Sequence, residues 1–276
     1  FTSIIRDMEG RKMSKSLGNS PDPLDVISTY GADALRLTVL YIAPIGQDVL
    51  YSNEKCEMGR NFANKIWNAG RFLLMNRDAI DAEAPADISI VSAQDSTDLS
   101  DAWILSRFNS VVEDATEYLE NFRVNEAVKL LYDFMWHDFC DWYVEFAKNR
   151  IAQTSDTRLK RSIINRAIRI YEETLKLLHP FMPFVTEEIW QHLNERKPGE
   201  SIMKAPWPGF DALQIKPAIE QDMEFLQSVI SAVRTIRSEM NLPPSKALDV
   251  VINCHDDAKQ QVLDSNRPTF ERMAKL

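Results

Sequence analysis

A chain of 276 residues with 45% hydrophobic and 26% charged side chains lies in the ordinary globular range. At roughly 150 residues per domain it holds one large or two ordinary domains. The formal charge of −9 excludes a uniformly basic nucleic-acid-coating protein, because phosphate binding is driven by basic groups that release counterions; any such contact must come from a local cluster. No apolar run approaches the ~20 residues of a membrane span, and the first residues do not read as a basic-then-apolar leader. Three cysteines, Cys56, Cys140 and Cys254, without a C-x-x-C pair, exclude a disulfide framework or a zinc knuckle and fit reduced thiols in the cytoplasm. No metal site is expected. Only 8 glycines and long apolar-periodic stretches point to a mostly helical fold.

In chain order, Phe1 to Arg6 alternates as the end of a strand, and Asp7-Met8-Glu9-Gly10 reads as a turn. Lys12-Met13-Ser14-Lys15-Ser16 then places two lysines three apart in a loop of small or flexible residues. Point charges so placed can grip a polyphosphate and stabilise charge that develops on it. The pentapeptide with its Leu17-Gly18-Asn19 tail resembles the KMSKS signature of class I aminoacyl-tRNA synthetases. The resemblance implies a mobile loop that closes over ATP with Mg2+, in which Lys12 and Lys15 are catalytic and stabilise the pyrophosphate leaving group. It also implies a catalytic Rossmann domain upstream. With no match to its His-Ile-Gly-His signature and no initiator methionine before Phe1, the sequence reads as a C-terminal piece of a larger enzyme, inactive alone and itself without ATP or Mg2+.

Asp22 as N-cap and Pro23 at the first helical position open a short helix that Tyr30-Gly31 stops. A second runs from Ala32 through Leu40 and is ended by Pro44 and Gly46. Asp33 and Arg36, within a Gly-Ala-Asp-Ala-Leu-Arg string also typical of the family, read as a helix cap and a local ion pair. Residues 1–51 therefore resemble the family's KMSKS and stem-contact unit, a small α/β element.

From Ser52, a plausible N-cap, a long helix runs to about Asn76. Phe62, Ile66, Ala69 and Leu73 form one stripe at 100° per residue, with Arg60, Asn64 and Arg71 opposite. The string from Asn61 through Phe72, N-F-x-N-K-x-W-N-A-x-R-F, resembles valyl-tRNA synthetases rather than the isoleucyl or leucyl members. That resemblance implies anticodon recognition by this helix, through Arg60, Asn64, Lys65, Asn68, Arg71 and Phe72, with Arg71 on phosphate or a base edge. Phe72 stacks on a splayed base or forms the rim of the core. Gly70 stands where a bulkier residue is expected.

Residues 79–98 carry no periodicity and read as a flexible connection. Helices follow over about Asp101–Leu119 and Val124–Lys148. The second has Val124, Val128, Leu131, Met135, Trp142 and Phe146 on one stripe and further aromatics around it, so it is buried. His137 and Cys140 read as core, while Asp138 and Asp141 call for an arginine from a neighbouring helix. Lys148 and Arg150 add to the basic, tRNA-facing set. A helix over Arg158–Leu178 breaks at Pro180 and Pro183, with His179 a turn residue, and a short one restarts at Thr186. Pro217–Met240 is the last long helix, ended by Pro243-Pro244. Leu248–Ile252 reads as a strand and Asp256–Leu263 as a helix.

The expected fold is thus mostly α: residues 52–242 as the helical-bundle anticodon-binding domain, 1–51 before it, and 243–276 as the start of a short α/β tail. The expected function is the tRNA-binding part of a valine-tRNA ligase. Its partners are tRNA(Val), with ATP and valine only in the whole enzyme, and no membrane. The rivals are an isoleucyl or leucyl relative and a free-standing helical RNA-binding module.

Overall fold

The computed structural model describes residues 4–43, 46–83, 98–243 and 246–276. The sequence readings that fall on Phe1, Pro44, residues 84–97 and Pro244 lie outside them. Near the N-terminus β1 (Ile5–Arg6) pairs in parallel with β2 (Val49–Leu50), Ile5 opposite Val49. The expected turn is present, with the Gly10 N–H donating to the Asp7 carbonyl at 3.0 Å. Asp22 caps α1 (Pro23–Tyr30) by accepting from the Leu24 N–H at 2.8 Å, and Gly31, at φ 95°, ends it and admits α2 (Ala32–Ile42). Val26, Tyr51 and Cys56 form a small core here, against which Ile5, Met13, Leu35 and Val39 pack.

A short 3-10 turn at Asn53–Lys55 precedes α3 (Cys56–Glu83), so the helix starts four residues after the expected cap at Ser52. Phe62, Ile66, Ala69 and Leu73 are buried as their spacing demands. Ile80, seven past Leu73, extends the stripe, and Asp81 pairs with Arg161 at 2.8 Å. Both carry the helix beyond Asn76 into what read as connection. Gly70 leaves the helix unbroken: a Cβ there would meet the Tyr171 hydroxyl at 2.8 Å, and that hydroxyl donates to the Ile66 carbonyl at 2.7 Å. The missing side chain makes room for a cross-bundle hydrogen bond.

The bundle continues with α4 (Leu99–Glu120), capped by Asp98. After a tight turn comes one rod of three parts, α5 (Val124–Asp133), a π-helical segment (Phe134–Tyr143) and α6 (Val144–Gln153). The expected single α-helix is therefore wider in its middle. Phe134, Phe139 and Tyr143, spaced five and four apart, are buried by the π turns, whereas Trp142, expected on the buried stripe, is only half-buried. Cys140 is buried as expected; His137 is not core but 58% exposed at its side chain. Asp156 caps α7 (Thr157–Leu178), and α8 (Pro183–Leu193) starts at Pro183 rather than Thr186. After an irregular stretch α9 (Pro217–Glu239) lies along α4. Leu248–Ile252, read as a strand, has no ladder partner among the described residues, and Val251 is 96% exposed. The described tail is instead two helices, α10 (Asp257–Ser265) and α11 (Arg267–Ala274), pinned by the buried Arg237, which donates to the carbonyls of Lys275, Pro243 and Lys246.

Helix α2 ties the N-terminal unit to the bundle. Asp33 does not cap its own helix: buried, it accepts from the Phe184 and Val185 N–H groups at 3.3 and 2.7 Å and so caps α8, whose own N-cap residue offers no side chain. Burial raises its pKa above the ordinary carboxylate value. Arg36 forms no local ion pair but donates to the Pro180 carbonyl at 3.0 Å. Asn125 donates to the last carbonyls of α2, Leu40 (3.0 Å) and Tyr41. Where α2 and α3 cross, a Cβ on Gly59 would stand 2.5 Å from the Ala34 carbonyl oxygen and 2.8 Å from its Cα. That neighbour is backbone and cannot rotate away. Gly59→Ala is therefore expected to destabilise the fold by about 2–3 kcal/mol net of the ~1 kcal/mol that alanine gains in helix propensity. Gly70→Ala, which meets the side chains of Tyr171 and Ile189 rather than backbone, should lose less, and urea unfolding of both variants checks the order.

Candidate nucleic-acid interface

The lysine loop is built on two polar side chains. Asp7, 7% exposed, accepts from the Arg11 backbone N–H at 2.8 Å and from the Arg11 guanidinium Nε at 2.7 Å. It also accepts from Asn19 Nδ2 at 2.8 Å, and this bond leads in holding its carboxyl down from its ordinary 3.8 to about 2. Asn19 in turn accepts from the Ser14 N–H at 2.9 Å, so it straps the middle of the loop to Asp7. Ser14 caps the short turn Lys15–Leu17. Gly18, at φ 63°, takes the left-handed conformation that ends it. Lys12, Lys15 and Ser16 are exposed, and neither ammonium has an ion-pair partner among the described residues. Met13 and Ser14 are half-buried, and Lys12 and Met13 line an apolar cleft of about 490 Å3 with Val26, Leu35, Val39 and Tyr51. The Gly-Asn tail was visible in the sequence. The strap between Asn19 and Asp7, twelve residues apart, was not.

A second surface lies where α3 meets the π segment and α6. Lys65 Nζ donates to Asp141 Oδ1 at 2.6 Å and stands 5.2 Å from the Trp136 ring centroid. Asp141 Oδ2 lies 3.3 Å from His137 Nδ1. Asp141 thus finds a lysine where an arginine was expected, whereas Asp138 does find one, Arg107 Nε at 3.1 Å. Lys148 pairs with Glu145 at 2.6 Å and lies 4.8 Å from the Phe72 centroid; Phe72 itself is half-buried against the core. Asn64, Asn68 and Arg71 are exposed beside them, and Arg71 has no hydrogen-bond or ion-pair partner among the described residues. Trp67, 45% exposed, sits between Asn64 and Arg71 on the wet stripe, a residue passed over although its helical position was readable.

Two further basic residues stand apart from the centre of this surface. Arg60 is exposed at the start of α3, 5.6 Å from the Tyr30 centroid and 3.8 Å from Glu57. Arg150 is only 13% exposed at its side chain and is held by Asp98 at 3.1 Å and by the buried Asp101 at 2.9 Å. Asp101 also takes Arg166 and the Tyr143 hydroxyl. The structure places Arg150 in this network, because a buried carboxylate requires compensation.

Residues 101–252 match the model of the anticodon-binding domain of tRNA ligase, over half of the sequence. The chain belongs to that family. Residues 1–52 match the model of class I tRNA synthetases (I, L, M and V). Similar proteins are the valine–tRNA ligases of Chlorobaculum tepidum, 42% identical over 100% of this chain and 31% of that protein; of Bacillus subtilis, 44% over 98% and 30%; and of Listeria monocytogenes, 45% over 98% and 29%. The chain thus spans just under a third of the length of these relatives. Among solved structures, the Agrobacterium radiobacter K84 agnB2 LeuRS in its ternary complex with tRNA and LeuAMS has the same fold. Its TM-score is 0.55 at 22% identity, over 78% of this chain and 24% of that one. Among the described residues no helix is long and apolar enough to cross a membrane, and no group of three or more His, Cys, Asp or Glu could hold a metal ion.

The depressed Asp7 carboxyl sets a pH dependence for the loop of this synthetase-like unit. A folded pKa below the unfolded one contributes stability that is complete above about pH 4 and lost as pH falls through about 2. The Asp7 carboxyl carbon, followed by NMR, is expected to titrate well below 3.8. Asn19→Ala should move the midpoint upward, and an ordinary midpoint in the parent chain would contradict the strap.

Proposed function

We propose that this chain supplies the KMSKS loop and the tRNA-holding bundle of a valine–tRNA ligase. The whole enzyme activates valine with ATP in the cytoplasm and transfers it to tRNA(Val). The observation that carries the reading is the single surface on which α3 and the π–α6 rod bring together Lys65, Asn68, Arg71, Phe72 and Lys148. It offers what single-stranded RNA recognition needs, cations for phosphate and aromatic faces for unstacked bases. In this reading residues 1–51 form the loop and stem-contact unit, 52–242 the anticodon-binding domain and 243–276 the start of a further region. Arg60 and Asn64 extend the interface along α3; Arg150 is left out, its charge taken up by Asp98 and Asp101.

The loop supports the second half of the proposal. Lys12 and Lys15 carry uncompensated charge on a strapped base, beside an apolar cleft, an arrangement suited to nucleotide phosphates. Mg2+ would arrive with ATP, coordinated largely by its phosphates. The two ammonium groups would stabilise the charge developing on the leaving pyrophosphate, which is transition-state stabilisation by fixed charge. Activation of valine belongs to the whole ligase.

Fluorescence anisotropy of the chain with transcripts of tRNA(Val), tRNA(Ile) and tRNA(Leu), at one near-physiological salt, tests the reading. Preference for tRNA(Val) that vanishes when its anticodon is changed is expected. Arg71→Ala should weaken that complex by about 1–3 kcal/mol. Equal, weak and steeply salt-dependent binding to all three would reject anticodon reading by this bundle.

A further inference from the structure

The α3/π–α6 surface contains an acceptor that phosphate binding does not explain. Asp141, 38% exposed at its side chain, pairs with Lys65 of α3, the helix that also carries Asn68 and Arg71. A carboxylate there repels phosphate and offsets the charge of Lys65, so a surface that gripped only backbone would bind better without it. The other nearby carboxylate, Glu145, is taken up by Lys148 on its own helix, three residues on. Asp141 instead bridges two elements and is held at both oxygens: Lys65 Nζ lies 2.6 Å from Oδ1 and His137 Nδ1 3.3 Å from Oδ2. Its plane is fixed, and each oxygen keeps a second lone pair.

We propose, building on the reading above, that Asp141 is a specificity-determining residue whose carboxylate accepts from the exocyclic amino group of an anticodon base packed near Phe72 and Lys148. Lys65 and His137 hold it in position. An ionised carboxylate can only accept, unlike an asparagine, whose amide can turn to present a donor. It therefore favours adenine N6, cytosine N4 or guanine N2 amino groups and opposes a uracil O4 or guanine O6, rejection by repulsion as well as selection by attraction. The π segment contributes the placement. Its wide turns bury Phe134, Phe139 and Tyr143 while turning His137 and Asp141 to the side where α3 presents Lys65.

The test uses the 276-residue chain, its Asp141→Asn and Asp141→Ala variants, and synthetic anticodon stem-loops of tRNA(Val). In each stem-loop one anticodon base lacks only its amino group, purine for adenine or 2-pyrimidinone for cytosine. Wild-type chain should lose about ten-fold in affinity for one of these RNAs, the size of one lost base contact. Asp141→Ala should lose a similar factor on the intact RNA and nothing further on the amino-deleted one, with an unchanged slope of log affinity against log salt. Asp141→Asn keeps the shape of the side chain, so a loss of discrimination in it, with an unchanged melting curve, separates the contact from misfolding. Uniformly tighter binding of every RNA with a steeper salt slope would overturn the proposal, because Asp141 would then be only the counter-charge of Lys65. Unchanged affinity and discrimination would overturn it as well. If wild-type chain does not distinguish tRNA(Val) from the other tRNAs, anticodon reading itself fails, and that result is seen before any variant is compared.

Discussion

The carboxylate of Asp33 caps a helix it reaches across 151 and 152 positions of sequence, and the orientation of the N-terminal unit depends on that contact. α8 follows the Pro180–Pro183 break and lacks a side-chain cap of its own, so its first N–H groups would otherwise be orphaned inside the protein. α2 supplies the missing acceptor, its Arg36 covers the Pro180 carbonyl, and Asn125 covers the carbonyls at its other end. Gly59 permits the close crossing with α3. Met13, from the middle of the lysine loop, packs against the small core that Leu35 and Val39 of the same helix join. One helix is thus shared between the loop and the bundle: Leu37, Leu40 and Tyr41 pack it into the main core, and capping at long range fixes its polar ends.

Local signals made most helices readable. Asp22-Pro23, the stripe from Phe62 to Leu73 and the prolines at 180, 183, 217 and 243 mark ends and faces through near-neighbour physics. The misreadings occur where the cause is not local. A 3.6-residue period cannot anticipate a π segment, although Phe134, Phe139 and Tyr143 at intervals of five and four carried the signal. β2, two residues long, has no alternation to detect, and it exists only because β1 lies beside it. Leu248–Ile252 has the strand pattern without a partner among the described residues, and pattern alone does not make a ladder. The cap at Asp33 looked local because sequence shows only near neighbours.

Charge was legible as composition but not as availability. The arginines divide in three dimensions. Arg166 and Arg150 compensate the buried Asp101, Arg161 holds Asp81 at the end of α3, and Arg237 and Arg234 fasten the tail through its carbonyls. Lys12 and Lys15 on the loop and Arg71 on α3 are among the cations that keep no ion-pair partner among the described residues. The KMSKS resemblance found the first two. Only the ion-pair geometry separates Arg71 from Arg150, because whether a basic side chain is already satisfied depends on which carboxylates the fold buries near it.

Under the proposed function, this economy bears on how an acidic chain holds RNA. Non-specific affinity rises with the number of phosphates neutralised, and a surface with few free cations on a protein of charge −9 makes few such contacts. The long-range field opposes approach, and the short-range cations act within about a Debye length. In that reading, binding depends on groups that engage bases, the Phe72 face, the amides of Asn64 and Asn68 and the edge of Arg71, rather than on charge summed over the surface. A more basic bundle would bind every tRNA more tightly and separate them less. With most of its arginines committed to holding helices and tail in place, the fold leaves recognition to the few side chains whose geometry it fixes.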